Sequence, residues 1–280
     1  MGETTTIYWR NSADEATLTA SSAALPVANL ADWRPGKVWR TTSGTGQWAK
    51  ASWIVPTPVD SLIIWKHNLS AAGTVRIRVY EDAGETTVLY DSGEIPAWPP
   101  LFGWGLGPYG LTGWGGYPSD EQIVDRNLRP AIVHSFGATY AARVVRLDVT
   151  DSVRSFIDVG RWFIGQGYRL AANPDLGMTI DFVDPSVKSR TDCGDLNIDR
   201  KPVYRQISLR WGYLESGDSV EFYDMAATVG SSLPFFIDVI PDEEALGKRL
   251  LMYAVPQSPG RLTAVTAECY SEEIVIEEVL

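Results

Sequence analysis

Reactive side chains are scarce in this chain: its 280 residues hold two cysteines and two histidines. Cys193 and Cys269 stand far apart, with no CxxC spacing and no nearby His, which argues against a disulfide framework and a zinc site. Two free or buried thiols suit a reducing compartment. Basic charge is also short, with 24 Lys and Arg against 35 Asp and Glu and a net charge of -11. Neutralising phosphates needs clustered Lys and Arg, so a general nucleic-acid binder is excluded. No apolar run approaches the roughly 20 residues of a membrane-spanning helix. The opening MGETTTIYWR has neither a charged n-region nor an apolar h-region, so no secretory signal is read there and folding in a cytoplasm is expected.

Catalytic signatures are thin in the same way. His67 ends an apolar strand, the ordinary setting of a satisfied structural histidine. His134 and Ser135 fall in a segment read as a loop, without the G-x-S-x-G elbow of a nucleophilic serine. Gly103, Gly105 and Gly107 form a Gly-rich string that does not open a helix, so it is no phosphate cradle. Acidic residues gather at Asp238, Asp242, Glu243 and Glu244, and again at Glu272, Glu273, Glu277 and Glu278. Nothing pairs two of them across a sugar, so both groups read as solvated faces. No EF-hand-like calcium spacing occurs. The expectation is a non-enzyme with no catalytic residues, no metal ligands and no cofactor.

Aromatics, by contrast, are plentiful: 11 Trp, 12 Tyr and 8 Phe. They supply buried area and interface anchors. Six of them, Trp98, Phe102, Trp104, Tyr109, Trp114 and Tyr117, fall in residues 95–117, a Gly- and Pro-rich stretch without a period. It is long for a loop and too apolar for a disordered linker. Its rings must be covered by their own domain as a flap, by a neighbouring subunit, or by a sugar. These six form the candidate partner interface. Arg34, Lys37 and Arg40 interleave with Trp33 and Trp39, and read as Arg stacked on Trp or paired with acids at a rim.

The remaining pattern is mainly β. Short strands are read at residues 5–10, 15–20, 47–55, 60–66, 74–80, 86–90, 139–149 and 156–164, with turns between them and no amphipathic helix. This implies an antiparallel sandwich or jelly roll over residues 1–170. A Gly- and Asn-Pro-rich stretch at 165–176 marks the boundary. Beyond it, residues 177–280 alternate as strands around one helix at 217–229. Ser216 is its expected cap, Gly230 its stop, and Val220, Phe222 or Tyr223, Ala226 and Ala227 its apolar stripe. Strands with a single helix make a small α+β domain.

Particular residues carry a family resemblance. Asn29, Leu30, Trp39 and Arg40, followed by Leu62, Trp65, His67, Asn68 and Leu69, resemble the discoidin-like, galactose-binding-like jelly roll that opens tail-tip proteins of long-tailed bacteriophages. Phe182, Asp184-Pro185-Ser186, Ser189-Arg190, Asp199-Arg200, Pro202 and Tyr204-Arg205 resemble a recurrent phrase of distal-tail and minor-tail proteins. The resemblance implies a tail-tube-like second domain and a structural role in a tail tip or baseplate. Copies of the chain would form a trimeric or hexameric ring linking the tail tube to the hub or fibres, in a virion assembled in the host cytoplasm. The alternative is a carbohydrate-binding module for host surface glycans, with Trp98, Trp104 and Trp114 stacking on sugar rings.

Overall fold

The alternating stretches fold almost entirely as strands. The computed structural model describes residues 4–101, 114–126, 128–241, 247–266 and 269–280, with the main chain alone at 114, 247 and 248. The strands begin with β1 (Thr6–Tyr8), β2 (Thr17–Ala20), β3 (Trp39–Arg40), β4 (Gln47–His67), β5 (Thr74–Tyr80), β6 (Val88–Pro96), β7 (Ala131–Thr150), β8 (Asp158–Gly165) and β9 (Tyr168–Arg169). They continue as β10 (Thr179–Val183), β11 (Val187–Arg190), β12 (Leu196–Asp199), β13 (Tyr204–Leu214), β14 (Phe235–Asp238), β15 (Met252–Pro256), β16 (Thr263–Ala264) and β17 (Tyr270–Glu278). The α-helices are α1 (Asp120–Asp125), α2 (Ser216–Val229) and α3 (Gly247–Leu250). Strand pairing among the described residues is antiparallel throughout.

The chain forms two units, and the first gathers Arg10–Gly167. Its strands run in the order β3-β8-β4-β7-β5-β6, with β2 also on β4. Two strands organise it. β4 has 21 residues and β7 has 20, against the usual 5–6 or so. They pair with each other along nearly their whole length, with register shifts between Ser52 and Thr57 and between Val59 and Ser61. Such irregularities bend a strand. The first half of β4 pairs with β2 and with the end of β7, which in turn pairs with β5; the second half pairs with β8 and the start of β7. Both layers of the sandwich therefore share the same two strands. One core lies between them, built from Ala49, Ala51, Leu62, Ile64, Val75, Ile77, Leu147, Val149, Trp162 and Ile164.

The second unit joins the N-terminal residues up to Trp9 with the described residues of 168–241 and 250–280. Its sheet runs β10-β13-β17-β15-β14-β1-β9, with β16 on β17. This redraws the expected division at 170: Thr6–Tyr8 pair with β14 on one side and β9 on the other, so the first strand belongs to the C-terminal sheet. Helix α2 packs on β13, with Phe222 tilted against Trp211 at 5.2 Å between ring centroids. Its buried face is Asp218, Ser219, Phe222, Met225 and Val229, whereas Val220 and Tyr223 are exposed, contrary to the expected stripe. Ser216 is the first helical residue rather than the cap, and Gly230, at φ +56°, ends the helix as expected.

The C-terminal acidic group is not a solvated face. In β17 the two-residue period places 272, 274, 276 and 278 inward, so Glu272 and Glu278 are buried beside Ile274 and Ile276. Glu278 is matched by buried Arg205 through two bonds, Nη2 to Oε1 at 2.7 Å and Nε to Oε2 at 3.0 Å. Arg205 Nη2 also reaches Leu251 O at 3.2 Å. Removing one member of a buried pair strands the other charge, at a cost of about 3–5 kcal/mol. Glu278→Ala should therefore lower the unfolding free energy of the second unit by that order, read as a lower denaturant midpoint, and a midpoint equal to wild type would contradict the assignment.

Candidate functional site

The six aromatic candidates do not form one exposed platform. Trp98 is buried in the sandwich core, with Nε1 donating to Leu69 O at 2.9 Å and its ring edge-on to His67 at 5.0 Å. It closes the end of the core and presents no face to a sugar. Trp114 contributes its main chain to the short turn Trp114–Gly116, and Tyr117 is exposed. Phe102, Trp104 and Tyr109 lie outside the described residues, as do Asp242, Glu243 and Glu244.

The other sequence candidates are structural. Trp39 is fully buried and donates Nε1 to Ser22 O at 2.8 Å. Arg40 holds Asp158 through two bonds of 2.7 and 2.8 Å and lies over Phe156. Arg34 and Lys37 both pair with Asp32, whose carboxyl they hold well below the usual range, and Arg34 lies over exposed Trp33. His134 belongs to strand β7 rather than a loop, and its Nε2 bonds Tyr90 Oη at 2.6 Å within a group of rings that includes Phe136 and Tyr140. His67 is only half satisfied. Nδ1 accepts from Leu69 N at 3.3 Å, so the proton sits on Nε2, which has no hydrogen-bond partner among the described residues. Cys193 and Cys269 are both free. Among the described residues no group of three or more His, Cys, Asp or Glu is placed to hold a metal ion, and no helix is long and apolar enough to cross a membrane.

Two surfaces were not legible as sites. The first is on the sandwich unit. Residues that alternate with the core project outward from four neighbouring strands, and the register sets them in rows: Trp48, Asp148, Arg76 and Glu94, then Lys50, Arg146, Arg78 and Asp91. Arg78 and Arg146 both pair with Asp148, at 2.6 and 3.0 Å, and Arg76 pairs with Asp91. Glu85, from the β5–β6 turn, binds both Lys50 and Arg146. Its backbone is left-handed, at φ +58°, a conformation uncommon outside glycine, asparagine and aspartate. Burial opposes ionisation of Glu85, but the two cations prevail and hold it below its ordinary value. The Arg76 guanidinium brings Asp91 down to about 2. Arg146 and Lys50 stand over the Trp48 ring, 4.9 and 5.2 Å from its centroid. The rows enclose an open pocket of about 200 Å3, lined by Trp48, Arg76, Glu94, Asp148, Thr74 and Thr150 among others.

The second surface is on the other unit. Among the described residues β11 and β12 pair only with each other, as a two-stranded ribbon continuing from β10 and β13. All eight of their residues are exposed. Pairing places Lys188 beside Ile198 and Arg190 beside Leu196 on one face, and Val187 beside Asp199 and Ser189 beside Asn197 on the other. Phe182, at the base, is 71% exposed.

No family model matches the chain, and no curated protein matches it. Among solved structures it is similar to chitosan-binding module 1 of a chitosanase/glucanase from Paenibacillus sp. IK-5, at 15% identity and a TM-score of 0.37, covering 56% of this chain and 99% of that one. It is also similar to the family 32 carbohydrate-binding module of NanJ from C. perfringens, solved with galactose, at 13% identity and a TM-score of 0.35, covering 57% and 98%. A third is the lectin domain of lectinolysin, solved with Lewis B antigen, at 11% identity and a TM-score of 0.37, covering 58% and 98%.

The buried His67 yields a pH prediction. Burial drives its pKa from 6.5 down to about 3, with Asp151 opposing. Below pH 6.5 the unfolded chain binds a proton that the folded chain refuses, so stability falls as pH drops from there towards 3. Between pH 6.5 and 5 the melting temperature of His67→Gln should rise relative to that of wild type as pH falls. Glu272 of the second unit, which burial raises to about 7, gains stability as pH falls over the same range, but it does so in both proteins and cancels in the comparison. Equal slopes in the two proteins would show that His67 is not held neutral.

Proposed function

We propose that this protein is a structural, self-associating component of a larger particle, of the tail-tip or baseplate kind that its sequence resembles. The observation that supports this reading is the ribbon β11–β12. A two-stranded ribbon alone in water is marginally stable at best, and unpaired strand edges are templates for another chain. Val187, Leu196 and Ile198 are each about half exposed on it, so a single folded copy leaves about half of each in water. Coverage by a second copy gives these side chains their burial and the ribbon its support. The phrase that carries the tail-protein resemblance, from Phe182 to Arg205, spans this ribbon and its base. Joined head to tail, such copies close into a ring when the rotation closes.

A second reading, carbohydrate binding by the sandwich unit, is favoured by the pocket beside Trp48. It differs from the aromatic-loop version in its site, because Trp98 is a core residue. The two readings are compatible, since they use different units.

Replacing residues 187–199 with a short Gly-Ser link removes side chains that are exposed throughout β11 and β12. The variant should fold and melt like wild type. By light scattering, the full chain should form a discrete trimer or hexamer, alone or on mixing with a tail-tube protein, and the variant should stay monomeric. A full chain that is monomeric at high concentration and indifferent to tail proteins would contradict the reading, as would a variant that assembles normally.

A further inference from the structure

We propose that the pocket between Trp48 and Glu94 on the outer face of the sandwich unit binds one ring of a neutral sugar. The inference rests on the second reading above and gives it a site. Its lining combines two kinds of surface. Trp48 supplies a half-buried indole, held by Arg146 and Lys50. Arg76, Arg78, Arg146, Asp148 and Glu94 supply planar polar groups, and Thr74 and Thr150 add hydroxyls nearby.

The charge pattern selects the ligand. Arg76 is matched by Asp91, Arg78 by Asp148, and Arg146 by Asp148 and Glu85. An anion entering the pocket would compete with carboxylates already bound to these guanidinium groups and would meet Glu94 and Asp148. A cation would meet the arginines. A hydroxyl both donates and accepts, so it can bond a guanidinium N–H and a carboxylate oxygen without displacing either partner. The Glu94 carboxylate makes no hydrogen bond or ion pair among the described residues, and neither does the Thr150 hydroxyl, so both remain open to a ligand. Neighbouring hydroxyls on a ring, with an apolar C–H face for the indole, match this lining.

The pocket is built before a ligand arrives. Ion pairs fix its arginines, the register fixes their spacing, and Glu85 keeps its left-handed backbone while its carboxylate ties Lys50 to Arg146. At about 200 Å3 it is smaller than the ~300–1,000 Å3 of pockets that bury drug-sized ligands. It therefore holds a single ring, and useful avidity would come from many copies.

Saturation-transfer NMR on the full chain tests this with the methyl glycosides of galactose, glucose, mannose and N-acetylglucosamine, and with the anionic methyl glycoside of N-acetylneuraminic acid. At least one neutral glycoside should receive saturation. Its binding should weaken at least tenfold in Trp48→Ala and in Glu94→Ala, and stay unchanged in Trp33→Ala, which removes an exposed indole elsewhere. Glu94→Ala decides the matter if Trp48→Ala fails to fold, because the Glu94 side chain is exposed and has no partner among the described residues. Neutral binding undiminished in these variants would overturn the site while leaving carbohydrate binding in place. No neutral binding, or binding of the anionic glycoside alone, would overturn both.

Discussion

Two long bent strands carry the first unit. β4 and β7 pair along almost their full length and pass together from one layer into the other, so neither layer exists without the other. The alternation that fills the core also builds the outer rows. Ala49 lies between Trp48 and Lys50, Leu147 between Arg146 and Asp148, and Ile77 between Arg76 and Arg78, and all three are fully buried. A slip of one residue would turn three arginines into the core and three apolar side chains into water. Burial of the core thus fixes the geometry of the charged face, which needs no separate device beyond the Glu85 turn.

The second unit is held differently. Its sheet takes a three-residue strand from the N-terminus, and a buried Arg205–Glu278 pair ties β13 to β17. At the opposite extreme stands the ribbon of β11 and β12, which shares the sheet's chain but none of its core. The sheet has a buried core and the ribbon has none.

Much of the fold was legible. Strict alternation at 74–80 and 202–211 marked half-buried strands, and both are present as β5 and β13. The helix was legible from its glycine stop, although its buried face was misread because Val220 and Tyr223 look as apolar as Phe222 and Met225. The residues behind the jelly-roll resemblance prove to be framework. Leu30, Trp39, Leu62 and Leu69 are core, Asn29 donates to Val38 O, and Asn68 accepts from Asp158 N. The partner strands of Thr6–Tyr8 were not legible, because three residues carry no mark of the sheet they join. Nor were the rows beside Trp48, which depend on the register of four strands far apart in sequence. Trp98 could not be assigned among the three readings of its stretch, because a ring in a Gly- and Pro-rich stretch looks the same in sequence whether it plugs a core or faces a partner.

The central claim is that the ribbon is covered when copies meet. Amide hydrogen exchange across residues 187–199, followed from dilute to concentrated protein, tests it most directly. The account predicts fast exchange in dilute solution and protection that grows with concentration in step with assembly, first along the unpaired edges. Fast exchange at every concentration, in a protein that has nevertheless assembled, would place the interface elsewhere.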